Sequence, residues 1–245
     1  MINIFIGIII LVTAPLFVTA GGAHPDVTQA QQAFEQGDYA RAISLYESII
    51  TAYGATAAGY YNLGNCYYRN RQPGHAIVSY ERALRLSPRD GDIRYNLDFV
   101  REQLKQPDRP LSEIITGAIT SYATINELSV ATSFLFIIMS CALAAFMLSR
   151  RRFLILAGAG LVVLTAGSAA WLGLTIRNRQ LTSWGVVISG PADVRNGPGM
   201  ENSVGFTLPE GRKIIVLSEK DEWAAIGLAA EGLKGWVEKK YIDKI

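Results

Sequence analysis

The 245-residue chain has few of the residues from which reactive centres are built. Its two cysteines, Cys66 and Cys141, fall in a soluble helical stretch and in a long apolar run, so they cannot pair. That excludes a disulfide framework and a thiolate metal site. Its two histidines, His24 and His75, have no Cys, Asp or Glu cluster at ligand spacing beside them, which argues against a metal. No nucleophile motif or P-loop occurs, and Gly197-Pro198-Gly199 is a turn sequence rather than a phosphate cradle. Surplus charge is lacking as well. The 23 basic and 21 acidic residues leave a net charge of +2, and the one basic run is Arg150-Arg151-Arg152, so no nucleic-acid footprint is present. A binding protein without cofactor is expected, not an enzyme.

Apolar sequence is plentiful. Half of the residues are hydrophobic and 18% are charged, too apolar for an ordinary soluble protein and too polar for a pure membrane bundle. The excess lies in two runs, 128–148 and 153–176, each able to cross a bilayer core, which needs about 20 apolar residues in a helix. The turn at 149–152 is so short that the runs form a hairpin and leave the flanking parts of the chain on one side of the membrane. Neither run carries a charge, which argues against an ion path, and both read as anchors. Ala166/Ala170 and Ala169/Gly173 are small-residue pairs suited to close helix contact.

Residues 1–20 are apolar and end in Val18-Thr19-Ala20 before Gly21-Gly22, as an export signal cut after Ala20 would; an uncleaved N-terminal anchor is the alternative. Either would carry the repeat region across the membrane. Arg109, Arg177 and Arg179 offset the three arginines of the turn, so the positive-inside rule alone does not orient the hairpin. The export signal does, placing the turn in the cytoplasm and both soluble parts on the outer side of the membrane.

Between 21 and 106 the chain repeats itself. Ala42-Ile43 with Tyr46-Glu47 recurs as Ala76-Ile77 with Tyr80-Glu81, and Tyr61-Asn62-Leu63 recurs as Tyr95-Asn96-Leu97, each 34 residues on. With Leu63-Gly64, Tyr67, Ala76, Tyr80 and Pro88, this resembles the tetratricopeptide repeat, a helix-turn-helix unit. The copies cover about 23–56 and 57–90, and a lone amphipathic helix, 91–105, caps them, with Arg94, Asp98 and Arg101 on its solvent face. In such arrays the first helix of each unit faces a concave groove. The resemblance therefore makes Tyr61, Asn62, Asn65 and Tyr68 the candidate peptide-binding residues, although Tyr68 also suits packing against the next helix. Val27 and Gln31, the matching places in copy one, are not basic, so a carboxylate-clamping groove is not supported.

Residues 107–127 hold a proline-broken linker and a stripe from Leu111 to Ile125 at helical spacing, suited to the membrane interface or to packing against the repeats. Beyond Arg179, short β-type runs alternate with turns. Val194-Arg195-Asn196-Gly197-Pro198-Gly199, Leu208-Pro209-Glu210-Gly211, Trp223, Gly235-Trp236-Val237 and Tyr241-Ile242 resemble the bacterial SH3-like domain, which implies a small barrel over 183–245. Ala192-Asp193 and Ala224-Ala225 depart from that pattern. Trp223 and Trp236 are either a ligand-stacking pair or ordinary core, and Arg195 is placed to brace the Gly-Pro-Gly turn.

The whole order, export signal, repeats, amphipathic helix, hairpin and SH3-like domain, resembles the BatE family of bacterial aerotolerance operons. That resemblance implies an inner-membrane scaffold working with membrane-anchored von Willebrand A-type proteins and a MoxR-type ATPase. A wall sensor whose SH3-like domain binds peptidoglycan peptides is the alternative. The expected architecture is an all-α repeat array, a two-helix transmembrane hairpin and a small all-β domain.

Overall fold

The computed structural model describes residues 25–105, 111–149, 152–228 and 231–245; the stretch 1–20 expected to be an export signal and Arg150-Arg151 of the turn lie outside the described residues. Five helices form the repeat array: α1 (Pro25–Glu35), α2 (Tyr39–Tyr53), α3 (Ala57–Arg69), α4 (Pro73–Leu86) and α5 (Gly91–Gln103). Their ends are written in the sequence. Asp38, Thr56 and Asp90 cap α2, α3 and α5 by accepting backbone N–H bonds that a helix cannot satisfy internally, and Pro73 opens α4 where its missing N–H costs nothing. Gly64 of α3 lies against the ring of Tyr80 so closely that a Cβ there would come within 2.6 Å of it, which is why the repeat needs glycine at that place.

α6 (Leu111–Ser121) is followed by α7 (Ile125–Ser149) and α8 (Arg152–Ile176), an antiparallel pair in close contact. α7 and α8 are long and apolar enough to cross a membrane. Thr124 and Glu127 form a reciprocal cap at the start of α7, so Ile125 belongs to that helix and not to the amphipathic stripe. Among the described residues, α6 leans on the end of α8, where Trp171 Nε1 donates to the Ile119 carbonyl at 3.2 Å. Leu111, Ile114, Ile115 and Tyr122 remain exposed.

A π-helical turn, Arg177–Leu181, carries α8 into the C-terminal domain. Seven strands follow: β1 (Trp184–Val187), β2 (Ala192–Arg195), β3 (Val204–Leu208), β4 (Lys213–Lys220), β5 (Trp223–Leu228), β6 (Leu233–Glu238) and β7 (Ile242–Lys244). They form one antiparallel sheet in the order β3-β2-β6-β5-β4-β1-β7, consistent with the SH3-like reading. Its core holds Val187, Val194, Ile214, Ile226 and Val237.

The repeats and the SH3-like domain also meet. Val186 and Val187 point to opposite faces of β1, as successive strand residues must. Val187 enters the sheet's own core, while Val186 is fully buried among Ile77, Val78, Ile93 and Leu97 of the repeats, with Ile188 and Ile245 packed beside it. Gly74 of α4 lies on the Ile188 backbone, 2.7 Å from where its Cβ would be, and its N–H donates to Glu210 at 2.8 Å. Arg82 donates to Asp243 at 2.8 Å and to the Lys244 carbonyl.

The capping helix departs from expectation at one residue. Arg101, placed on the solvent face by the helical pattern, is 12% exposed and ion-paired to Glu81 of α4. Glu81 also takes Lys213 of β4 at 3.2 Å, so one carboxylate joins both halves of the soluble body.

Candidate functional site

The first helices of the repeats, α1, α3 and α5, line an open cleft of about 220 Å³. Asn65 and Tyr68 of α3 form its centre, and Tyr80 of α4 lies beneath them. The Asn65 side-chain oxygen accepts from the Tyr80 hydroxyl at 2.7 Å and from Asn96 Nδ2 at 3.2 Å. Asn96 Nδ2 also reaches the Tyr61 hydroxyl at 3.1 Å. This chain of bonds fixes both amides before any ligand arrives, which lowers the ordering cost of binding. Burial pushes the pKa of the Tyr80 hydroxyl up, with Tyr61 adding to it, so it stays a neutral donor at physiological pH.

The walls are aromatic. Tyr68 meets Phe99 edge to face with centroids 5.8 Å apart, and Phe99 stacks on the exposed Tyr95 at 6.5 Å. At the other end Arg69 lies over Tyr39 and Phe34, 5.3 and 6.0 Å from their centroids, and donates to the Tyr39 hydroxyl at 2.7 Å. Arg69 is thereby held as a rigid donor fork with a cationic face on the cleft.

Of the four residues expected to bind a peptide, Asn65 and Tyr68 line this cleft, and Tyr61 supports it through Asn96. Asn62 does not line it: its side chain faces the Tyr46 hydroxyl of α2, three residues round the helix from Asn65. Phe34, Arg69, Asn96 and Phe99 were missed. The repeat period carried the signal for three of them, since Phe34 and Phe99 stand 34 residues from Tyr68 and Asn65, and Asn96 stands 34 from Asn62.

On the SH3-like domain, Trp223 and Trp236 are half-buried and lie outside the core cluster. They alternate with the fully buried Ala224 and Val237, so both stand on the outer face. Trp236 pairs across the ladder with Ala225 on one side and Arg195 on the other, and Trp223 is its diagonal neighbour. Arg195 donates to the carbonyls of Met200 at 3.1 Å and Asn202 at 2.6 Å, bracing the turn that follows β2.

Among the described residues no group of three His, Cys, Asp or Glu side chains is arranged to hold a metal ion. Burial pushes the Cys66 thiol up to about 12, so it is no thiolate near neutral pH.

Comparison with known proteins agrees with the two modules. Residues 57–90 match the tetratricopeptide repeat family, and residues 190–243 match the bacterial SH3 domain family. Each covers well under half of the chain. No curated protein matches the chain. It thus contains a tetratricopeptide repeat and a bacterial SH3 domain, modules suited to binding proteins or peptidoglycan.

Proposed function

We propose that the protein is a non-catalytic scaffold of a bacterial inner membrane, anchored by α7 and α8 with both soluble modules in the periplasm. The repeats and the SH3-like domain serve as one recognition body. The observation that carries this reading is the pre-ordered cleft of Asn65, Tyr68, Asn96 and Phe99, which offers an extended polypeptide amide partners and aromatic walls. The family resemblance supplies the setting, an envelope-stress or aerotolerance complex with von Willebrand A-type and MoxR-type partners. Paired Tyr68→Ala and Phe99→Ala substitutions are expected to cut co-purification of envelope proteins from detergent by about tenfold or more, because buried aromatic anchors each contribute at least about 2 kcal/mol when they are hot spots. Unchanged recovery with a normally folded variant would refute the scaffold.

The outward Trp223 and Trp236 favour a second reading, a wall sensor that stacks peptidoglycan stems on its SH3-like domain. Under this reading the full chain in detergent sediments with purified sacculi, and Trp236→Ala abolishes sedimentation. Equal sedimentation of the variant counts against it.

A further inference from the structure

A second cleft opens on a different face of α3, where α2, α3 and α4 meet β7. Its volume of about 360 Å³ falls in the range of small-ligand sites. Leu63 and Val78 give it an apolar floor, and the Tyr67 ring, stacked on His75 with centroids 4.9 Å apart, forms a wall.

The polar groups here are unevenly matched. Arg82, the one Lys or Arg among the described lining residues, is spent: it donates to Asp243 and the Lys244 carbonyl and lies over the Tyr60 ring. The Glu47 carboxylate takes the Tyr67 hydroxyl on Oε1, and Oε2 has no donor among the described residues. His75 Nδ1 is buried without a hydrogen-bond partner among the described residues. The surplus is therefore negative charge, from the exposed Glu47 and from Asp243 against one committed guanidinium, and the His75 ring adds an acceptor in the tautomer that carries its proton on Nε2. The Tyr67 hydroxyl responds to the same field: burial raises its pKa first, and the bond to Glu47 and the charges of Glu47 and Asp243 raise it further.

We propose that this cleft between the repeats and the SH3-like domain binds an aliphatic primary amine, its ammonium taken by Glu47 with His75 Nδ1 as a further acceptor, and its methylene chain lying on Leu63 and Val78. An ammonium brings three donors and no acceptor, which answers the surplus. The stem suits the floor, because a lysine-type chain buries its methylenes while its head stays polar. Two sources present that chemistry: a free diamine, and the side chain of lysine or a longer diamino acid within a peptide.

The test is calorimetric titration of the full chain in detergent with pentylamine, its neutral analogue pentan-1-ol, pentane-1,5-diamine and a short acetylated lysyl peptide. Both free amines bind and the alcohol does not. Tighter binding of the peptide assigns a peptide-borne side chain, and binding of the free amines alone assigns a metabolite amine. Glu47→Gln keeps an acceptor for Tyr67 and is expected to weaken amine binding about tenfold or more, the loss for a bond to a charged group. His75→Phe keeps the stack and weakens it less. Equal heats for the amine and the alcohol, unchanged affinity in a folded Glu47→Gln protein, or no binding by any of the amines would overturn the proposal.

Discussion

Replacing Gly74 by leucine is expected to lift the SH3-like domain off α4 while leaving both modules folded. The Cβ would fall 2.7 Å from the Ile188 Cα and carbonyl oxygen, and backbone cannot rotate out of the way as a side chain can. Overpacking of this kind costs about 1–3 kcal/mol. It acts where Val186 and Ile188 fill the repeat core, so undocking re-exposes those residues. Their backbone bonds stay within the SH3-like sheet, so side-chain labelling by hydroxyl radicals is the measurement: it should rise severalfold at Val186 and Ile188 and stay unchanged at Ile226 in the centre of β5. Gly91→Ala is the control, because nothing lies within 4 Å of that position. If labelling of Val186 and Ile188 is the same in both variants, the interface is not a packed one.

Glu81→Gln should cost more. Its carboxylate is 13% exposed and neutralises two cations that are themselves mostly covered, Arg101 at 12% and Lys213 at 23%. Burial alone would raise the Glu81 pKa. Lys213 first, then Arg101 and Arg85, more than reverse this and hold it at about 2. A drop from 4.5 to about 2 corresponds to roughly 3 kcal/mol of preference for the charged form, close to the cost of breaking a buried pair on one side. The sign follows from the depression. The unfolded chain takes up the proton at higher pH than the folded one, so the stabilisation is complete above pH 4.5 and is lost as the pH falls towards 2. Wild-type protein should lose about 3 kcal/mol over that window relative to Glu81→Gln, measured by denaturant unfolding at each pH. Parallel curves would show that Glu81 does not carry the link between α5, α4 and β4.

What the sequence disclosed was local or periodic. A spacing of 34 located the helices of the repeats, unbroken apolar runs located the hairpin, and Leu208-Pro209-Glu210-Gly211 and Gly235-Trp236-Val237 located turns and strands of the SH3-like domain. The docking of β1 on α4 was harder to read because it joins residues more than a hundred positions apart. A trace of it was present: Val186-Val187-Ile188 is continuous rather than alternating, the pattern of a strand buried on both faces. Arg101 was misread because a helical wheel sorts side chains by their own helix and cannot see Glu81 on its neighbour. Asn62 and Asn65 share a residue type and lie one turn apart, yet α2 takes one and the cleft the other. The two tryptophans were legible as a pair, while their outward direction depended on the pleat set by Ala224 and Val237.

The passage from α8 to β1 leaves almost no slack. The helix runs through Arg177–Leu181 with two residues to spare before Trp184, whose indole donates back to the Asn178 carbonyl at 3.1 Å, while Arg89 beside α5 grips Glu127 at the start of α7. The hairpin thus meets the recognition body through a two-residue step at one helix and an exposed ion pair at the other. Whatever that body gathers is presented close to the ends of α7 and α8, at a distance set by the length of this passage.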